Sequence, residues 1–258
     1  MENRDEASAG GEDGIVKLSD EEAVREILIE ALFSLWSTAN NISRIRPTKK
    51  DRYRVTVFGS ARTEADHWVY EEVERMCAGL AALGCDLVTG GGPGLMEAAN
   101  RGVALGNPDG EGANIGIRVQ LPFEQSANPY VEDVFSHGTF FTRLHQFVLM
   151  SDAYVVVPGG VGTLLEMTMV WQLLQVRRLD APLILVGPMW RGLIDWARSQ
   201  MLRPGFELAG PQDFDIPICV DSTDDAMGVI RRHRQEWEKH RGGMGSSDPT
   251  HAPAEVRT

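Results

Sequence analysis

Apolar residues along the chain follow two alternating rhythms. Short, nearly continuous runs at Tyr53–Phe58, Cys85–Thr89, Ala113–Leu121, Ala153–Val157, Pro182–Gly187 and Ile216–Val220 are too brief for helices and read as buried strands. Between them lie stretches with apolar residues every three or four positions. These are Val69–Leu83, the segment opening at Leu95, the face marked by Phe140, Leu144, Phe147, Val148 and Ser151, Gly162 to about Arg178, Arg191–Met201 and Asp224–His240. Strands alternating with helices throughout predict an α/β, Rossmann-like fold, a mostly parallel sheet with helices on both faces.

One further helix precedes this unit. Ser19-Asp20-Glu21-Glu22 has the form of a capping box, and Ala23, Ile27, Leu28, Leu32 and Leu35 give one apolar face up to about Thr38. That face needs cover, from the domain behind it or from a second subunit, and both remain open. Asn40–Asp51 is polar, contains Pro47 and reads as a linker. Residues 1–18 and 241–258 are rich in Gly, Ser and charge or Pro and are expected to be disordered, leaving 19–50 as helix and linker and 51–240 as one domain.

Composition narrows the function. The net charge is −12, of which the acidic first thirteen residues supply about a third, and no basic stripe offsets the remainder. Such a surface repels nucleic-acid backbones, so no nucleic-acid partner is expected. There is no apolar run long enough for a membrane span, and the acidic N-terminus is unlike a secretory signal, so a cytoplasmic protein is expected. Cys77, Cys85 and Cys219 are scattered in apolar patterns and read as reduced core thiols; no metal site or cofactor is expected.

The chemistry gathers at strand–loop–helix junctions. Ala153–Val157 runs into Pro158-Gly159-Gly160-Val161-Gly162-Thr163 and then a helix carrying Glu166. Unpaired amides at a helix N-terminus suit an anion such as a phosphate, although a plain tight turn accounts for the same glycines. A carboxylate beside an anion site is better suited to meeting positive charge during a reaction than to binding. A second junction, Gly90-Gly91-Gly92-Pro93-Gly94, leads into Leu95-Met96-Glu97, where Glu97 also fits the dipole of its own helix. A third, Gly59-Ser60-Ala61-Arg62, follows the first strand, and its polar residues suit either a ligand or a helix cap. Arg143 flanks an apolar stripe, where an arginine commonly snorkels.

The string from Pro158 to Glu166, P-G-G-x-G-T-x-x-E, together with Gly90–Asn100, resembles the two signatures of the LOG family, nucleoside 5'-monophosphate phosphoribohydrolases once labelled lysine decarboxylases. Leu121–Tyr130, L-P-x-E-Q-x-x-N-P-Y, is similar to a string of longer LOG-like proteins, and the resemblance spans about Val55 to Val220. The older label conflicts with chemistry, because no lysine occurs from Asp51 to Glu238 and a pyridoxal-phosphate decarboxylase needs one in the fold.

The resemblance implies catalytic Glu166 and Arg143, and a nucleotide pocket of Gly159, Gly160, Gly162, Thr163, Gly59, Ser60, Gly91, Gly92 and Glu97. It also implies that Glu166 faces the sugar of a nucleoside 5'-monophosphate such as AMP, gripped by its phosphate, and that the chain forms a homodimer or larger assembly whose neighbouring subunits line the site. The helix after Gly162 agrees with pairing, since its apolar residues point nearly all round. Two positions depart from the family pattern, with Leu144 in place of a lysine after Arg143 and Leu165 in place of an acid beside Glu166. These losses of charge keep a second reading alive, a non-catalytic nucleotide or molybdenum-cofactor binding protein on the same scaffold.

Overall fold

The computed structural model describes residues 21–44, 52–107, 110, 112–120 and 126–244. Helix α1 (Glu21–Arg44) precedes a regular succession of β1 (Arg54–Phe58), α2 (Trp68–Ala82), β2 (Asp86–Thr89), α3 (Leu95–Gly106), β3 (Asn114–Val119) and β4 (Asp133–His137). There follow α4 (Phe140–Met150), β5 (Ala153–Val156), α5 (Val161–Gln175), β6 (Leu183–Val186), α6 (Pro188–Met201), a 3-10 turn (Pro211–Asp215), β7 (Pro217–Val220) and α7 (Thr223–Met244).

The strands form one seven-stranded sheet in the order β4-β3-β2-β1-β5-β6-β7, with every neighbour parallel. Both faces are covered. Val55, Val57, Leu87 and Val155 pack with α2, α3 and α7, whereas Phe58, Val88, Tyr154 and Val156 pack with α4, α5 and α6. Alternate residues of each strand therefore enter opposite cores, which explains why strands buried on both sides read as continuous apolar runs.

The topology places the site. From β1 the chain moves outward through β2 and β3 to β4, then returns to lay β5 against the free side of β1, with Val55 opposite Ala153. The reversal leaves a crevice above the carboxyl ends of β1 and β5, the position at which open α/β sheets receive ligands.

The sequence pattern omitted β4. Its five residues include only Val134 and Phe135 as apolar positions, and Phe135 and His137 alone are buried, as befits a short edge strand. Helix α1 continues past Thr38 into the stretch read as linker, because no Pro or Gly interrupts it before Pro47. The first four residues of the tail expected from 241 likewise belong to α7. Strand β3 is shorter than Ala113–Leu121, and α6 starts earlier than Arg191, with Pro188 at its first position. The proposed tail 1–18, most of the second tail, the capping-box residues Ser19 and Asp20 and the first half (121–125) of the Leu121–Tyr130 loop lie outside the described residues.

Helix α1 packs against β4, but Leu28, Leu32, Phe33 and Leu35 remain exposed, so the domain covers its apolar face only in part. Among the described residues, no helix is long and apolar enough to cross a membrane. Cys77 and Cys85 are buried and Cys219 is half-buried, and all three are free thiols.

Candidate active site

Three loops meet at the crevice because their backbones bond to one another. Ser60 N donates to Pro158 O (3.1 Å), tying the loop after β1 to the loop after β5, and Leu95 N donates to Ser60 O (2.8 Å), tying it to the loop after β2. The joint between the loops after β1 and β2 requires glycine at 94. Its φ is +70°, and an added Cβ would lie 2.4 Å from Ser60 O. The three glycine motifs that are separate in sequence thus form one continuous rim.

The rim has a buried polar foundation. Asn128 donates its backbone N–H to Gly91 O and its side-chain amide to Gly92 O, both at 2.9 Å. The same amide donates to Asn100 Oδ1 (2.9 Å), which also accepts from Thr89 Oγ1 (2.8 Å), while Asn100 Nδ2 donates to Asn114 Oδ1 (2.6 Å). Thr89 Oγ1 in turn accepts from Gly91 N (2.9 Å). A fully satisfied buried network of this kind specifies one loop geometry, and disrupting it leaves several polar atoms without partners. Asn100 and Asn128 fall inside the Gly90–Asn100 and Leu121–Tyr130 strings but were given no role there, and Asn114 lies outside both; what they do depends on partners distant in the chain.

Glu166 and Arg143 meet beside this rim. Arg143, in the first turns of α4, donates from Nη1 to Glu166 Oε1 at 2.7 Å and from Nε to Ile117 O of β3 at 2.9 Å. Its guanidinium lies 5.1 Å from the Phe147 ring centre, and an added Cβ at Gly90 would fall 2.5 Å from Nη2. The arginine is therefore an ion-pair partner held in a fixed orientation by a carbonyl, a carboxylate and a ring. Burial raises the Glu166 pKa above the ordinary carboxylate value, and the Arg143 charge and hydrogen bond oppose that rise.

Glu166 is more enclosed than the sequence suggested. It shares the buried stripe of α5 with Thr163, Met167 and Val170 and is 8% exposed. A cleft of about 370 Å³ opens between Ser60, Thr63 and His67 on one side and Pro158, Gly159 and Gly160 on the other. Glu166 is not among the residues that line this cleft. The pair still reaches the surface, with side-chain exposures of 11% for Arg143 and 10% for Glu166.

The other expected residues divide by position. Gly59, Ser60, Gly91, Gly92, Gly159 and Gly160 belong to the rim, and Gly162 and Thr163 open α5 just behind it. Gly160 caps the start of α5 and, being glycine, supplies no side-chain cap. Thr163 approaches so closely that a Cβ at Gly159 would lie 2.3 Å from its Oγ1. Ser60 caps no helix; its Oγ accepts from Arg62 N (3.0 Å) within the loop, and His67 caps α2 instead. Glu97 lies in the first turn of α3, and its charge is the second cause, after burial, of a raised Tyr70 pKa.

With this geometry in place, likeness to other proteins becomes informative. A family profile described as "Possible lysine decarboxylase", the LOG group, matches residues 96–230. The chain belongs to this family. A cytokinin riboside 5'-monophosphate phosphoribohydrolase of Mycobacterium tuberculosis is 29% identical over 155 residues, covering 58% of this chain and 79% of that one. A pyrimidine/purine nucleotide 5'-monophosphate nucleosidase of Escherichia coli K12 is 32% identical over 110 residues, which are 40% of this chain but only 24% of that longer protein.

Among solved structures, the molybdenum cofactor binding protein of Rippkaea orientalis superposes with a TM-score of 0.52 at 21% identity, over 70% of this chain and 96% of that one. The molybdenum cofactor carrier protein of Chlamydomonas reinhardtii gives 0.51 at 20% identity, over 71% and 99%. At such identities the likeness establishes the fold. Within the LOG family pattern, the two departures now have locations. Leu144 is half-buried on α4, and Leu165 is 45% exposed on α5 beside Glu166.

Proposed function

We propose that this LOG-family chain hydrolyses the N-glycosidic bond of a purine ribonucleoside 5'-monophosphate, releasing the base and ribose 5-phosphate. The observation that carries this reading is the buried Arg143–Glu166 pair set directly against the glycine rim. The names of the two sequence relatives, a phosphoribohydrolase and a nucleosidase, point to the same bond.

The 5'-phosphate rests on the amides that open α5, with the Thr163 hydroxyl beside it. Cleavage of the bond from C1' to the base nitrogen builds positive charge on the sugar, which an ionised Glu166 stabilises. The same carboxylate takes a proton from the attacking water as its oxygen bonds to C1', and that proton is the one the departing nitrogen requires. A carboxylate whose pKa is raised by burial is suited to both transfers. Arg143 holds the carboxylate in place through Ile117 O and moderates the rise.

A second copy of the chain completes the pocket in this reading. Val161 (84% exposed), Leu165 (45%) and Phe141 (81%) place apolar side chains on the surface around the pair, and a facing subunit covers them. Leu165→Glu is expected to convert the assembly to single chains in sedimentation velocity; an unchanged mass argues against that interface.

Enclosure of Glu166 favours a second reading, in which the site binds a nucleotide or a molybdenum cofactor without turning it over. Incubation with a panel of nucleoside monophosphates separates the two. Stoichiometric, continuing appearance of free base and ribose 5-phosphate supports the enzyme, and saturable binding without free base supports the carrier.

A further inference from the structure

The wall of the cleft facing the glycine loop carries side chains that neither the sequence motifs nor the family likeness singled out. Thr63 and His67 stand there with Ser60, opposite Gly159 and Gly160. Each of the three presents a hydrogen-bond donor, and no carboxylate is among the residues lining the cleft.

The His67 ring is fixed in a definite state. Its Nδ1 accepts from Val69 N at 3.2 Å as the cap of α2, so in the neutral ring the proton resides on Nε2, the edge that the cap does not use. Trp68 stacks on the ring, with centroids 5.9 Å apart and planes at 27°, which restrains its rotation. Histidine is not among the residues favoured at this helix position, where Asn, Asp or Ser would cap α2 equally well. What histidine adds to a cap is a second ring nitrogen bearing a hydrogen, on a residue that lines the cleft. Ser60 Oγ accepts from Arg62 N, which leaves its own O–H as a donor.

Across the cleft, the glycine loop has unusual room. A Cβ at Gly160 or at Gly162 would meet nothing within 4 Å, so the packing of the chain itself does not demand glycine at either place. Of these two glycines, Gly160 lines the cleft.

We infer that His67, assisted by Thr63, selects the phosphate monoester end of the ligand, donating to its oxygens across the cleft from the Gly159–Gly160 backbone. The inference rests on the nucleoside monophosphate reading above and assigns that reading a residue whose role is specificity. A base-binding role for the same wall is the competing outcome of the test.

The test uses the full chain and two substitutions that keep a capping acceptor, an oxygen in place of Nδ1, His67→Asn and His67→Asp, with Thr63→Val as an independent probe. Calorimetry with ribose 5-phosphate, AMP and adenosine, kinetics on AMP, and thermal unfolding are measured together. His67→Asn is expected to weaken ribose 5-phosphate and AMP binding about tenfold and raise KM by the same factor, while kcat, adenosine binding and Tm stay within twofold or two degrees of the parent. His67→Asp should weaken both phosphates further, because it places a negative charge against them, and Thr63→Val should act in the same direction as His67→Asn.

Unchanged phosphate affinity in all three variants, or a loss that falls on adenosine equally, overturns the assignment of His67 while leaving the proposed activity intact. If the parent chain itself binds neither ribose 5-phosphate nor AMP, the proposed function fails and this inference falls with it.

Discussion

Arg143 Nη1 lies 2.7 Å from Glu166 Oε1, joining the first turns of α4 to the second turn of α5 across the edge of the glycine rim. The contact is nine-tenths enclosed on both sides, so each charge depends on the other for solvation.

Removal of the arginine alone should therefore be costly. Arg143→Ala is expected to lower stability by about 3 kcal/mol, as for other buried pairs deprived of one partner, and to reduce base release by about a hundredfold or more. Arg143→Lys keeps the charge but lacks the fork that serves Ile117 O and Glu166 together, so it should recover only part of each loss. Urea titration and a free-base assay measure the two effects; parental stability in Arg143→Ala would mean that the pair does not form.

The pH profile follows from the same pair. Burial raises the Glu166 pKa, and the ionised carboxylate is the active form, so kcat should fall on the acid side at a pH above the usual carboxylate range. Arg143 opposes the rise, so Arg143→Gln should move the acid limb to still higher pH. A limb that moves downward in this variant contradicts the assignment of Glu166 as the titrating group.

The glycines separate packing from binding. Gly159→Ala sets a methyl group against Thr163, with contacts of 2.3 and 2.5 Å to Oγ1 and Cβ, and should destabilise the chain by about 1–3 kcal/mol. Gly160→Ala and Gly162→Ala meet open space, so unfolding should change by less than about 1 kcal/mol. AMP binding should nonetheless weaken several-fold in the Gly160 variant, because Gly160 lines the cleft proposed to hold the phosphate. Thermal unfolding alongside calorimetry checks both statements, and undiminished AMP affinity in Gly160→Ala would remove the phosphate from that loop.

Much of this fold was legible because a doubly covered parallel sheet writes its strands as unbroken apolar runs. Val55–Phe58 and Ala153–Val156 were plain for that reason, whereas β4 was missed because an edge strand with a single buried apolar residue leaves no such run. At the site, the glycine loops and Glu166 stood out because their spacing is local. The partnership of Arg143 with Glu166 was visible only as a family implication, since its geometry depends on α4 crossing β3. His67 lay hidden because it resembles an ordinary residue ahead of a helix, and the asparagine network was hidden because its members meet only after the sheet has formed. The burial of Glu166 could not be read either, because an all-round apolar α5 does not disclose which side the sheet takes.

The most direct test compares the parent chain with Glu166→Gln, following free base from AMP and other purine nucleoside monophosphates while binding of the same ligands is measured by calorimetry. The variant preserves shape and removes the charge, so base release should drop by about a thousandfold with ligand affinity still measurable. Turnover that persists in Glu166→Gln at the parental rate would contradict the account.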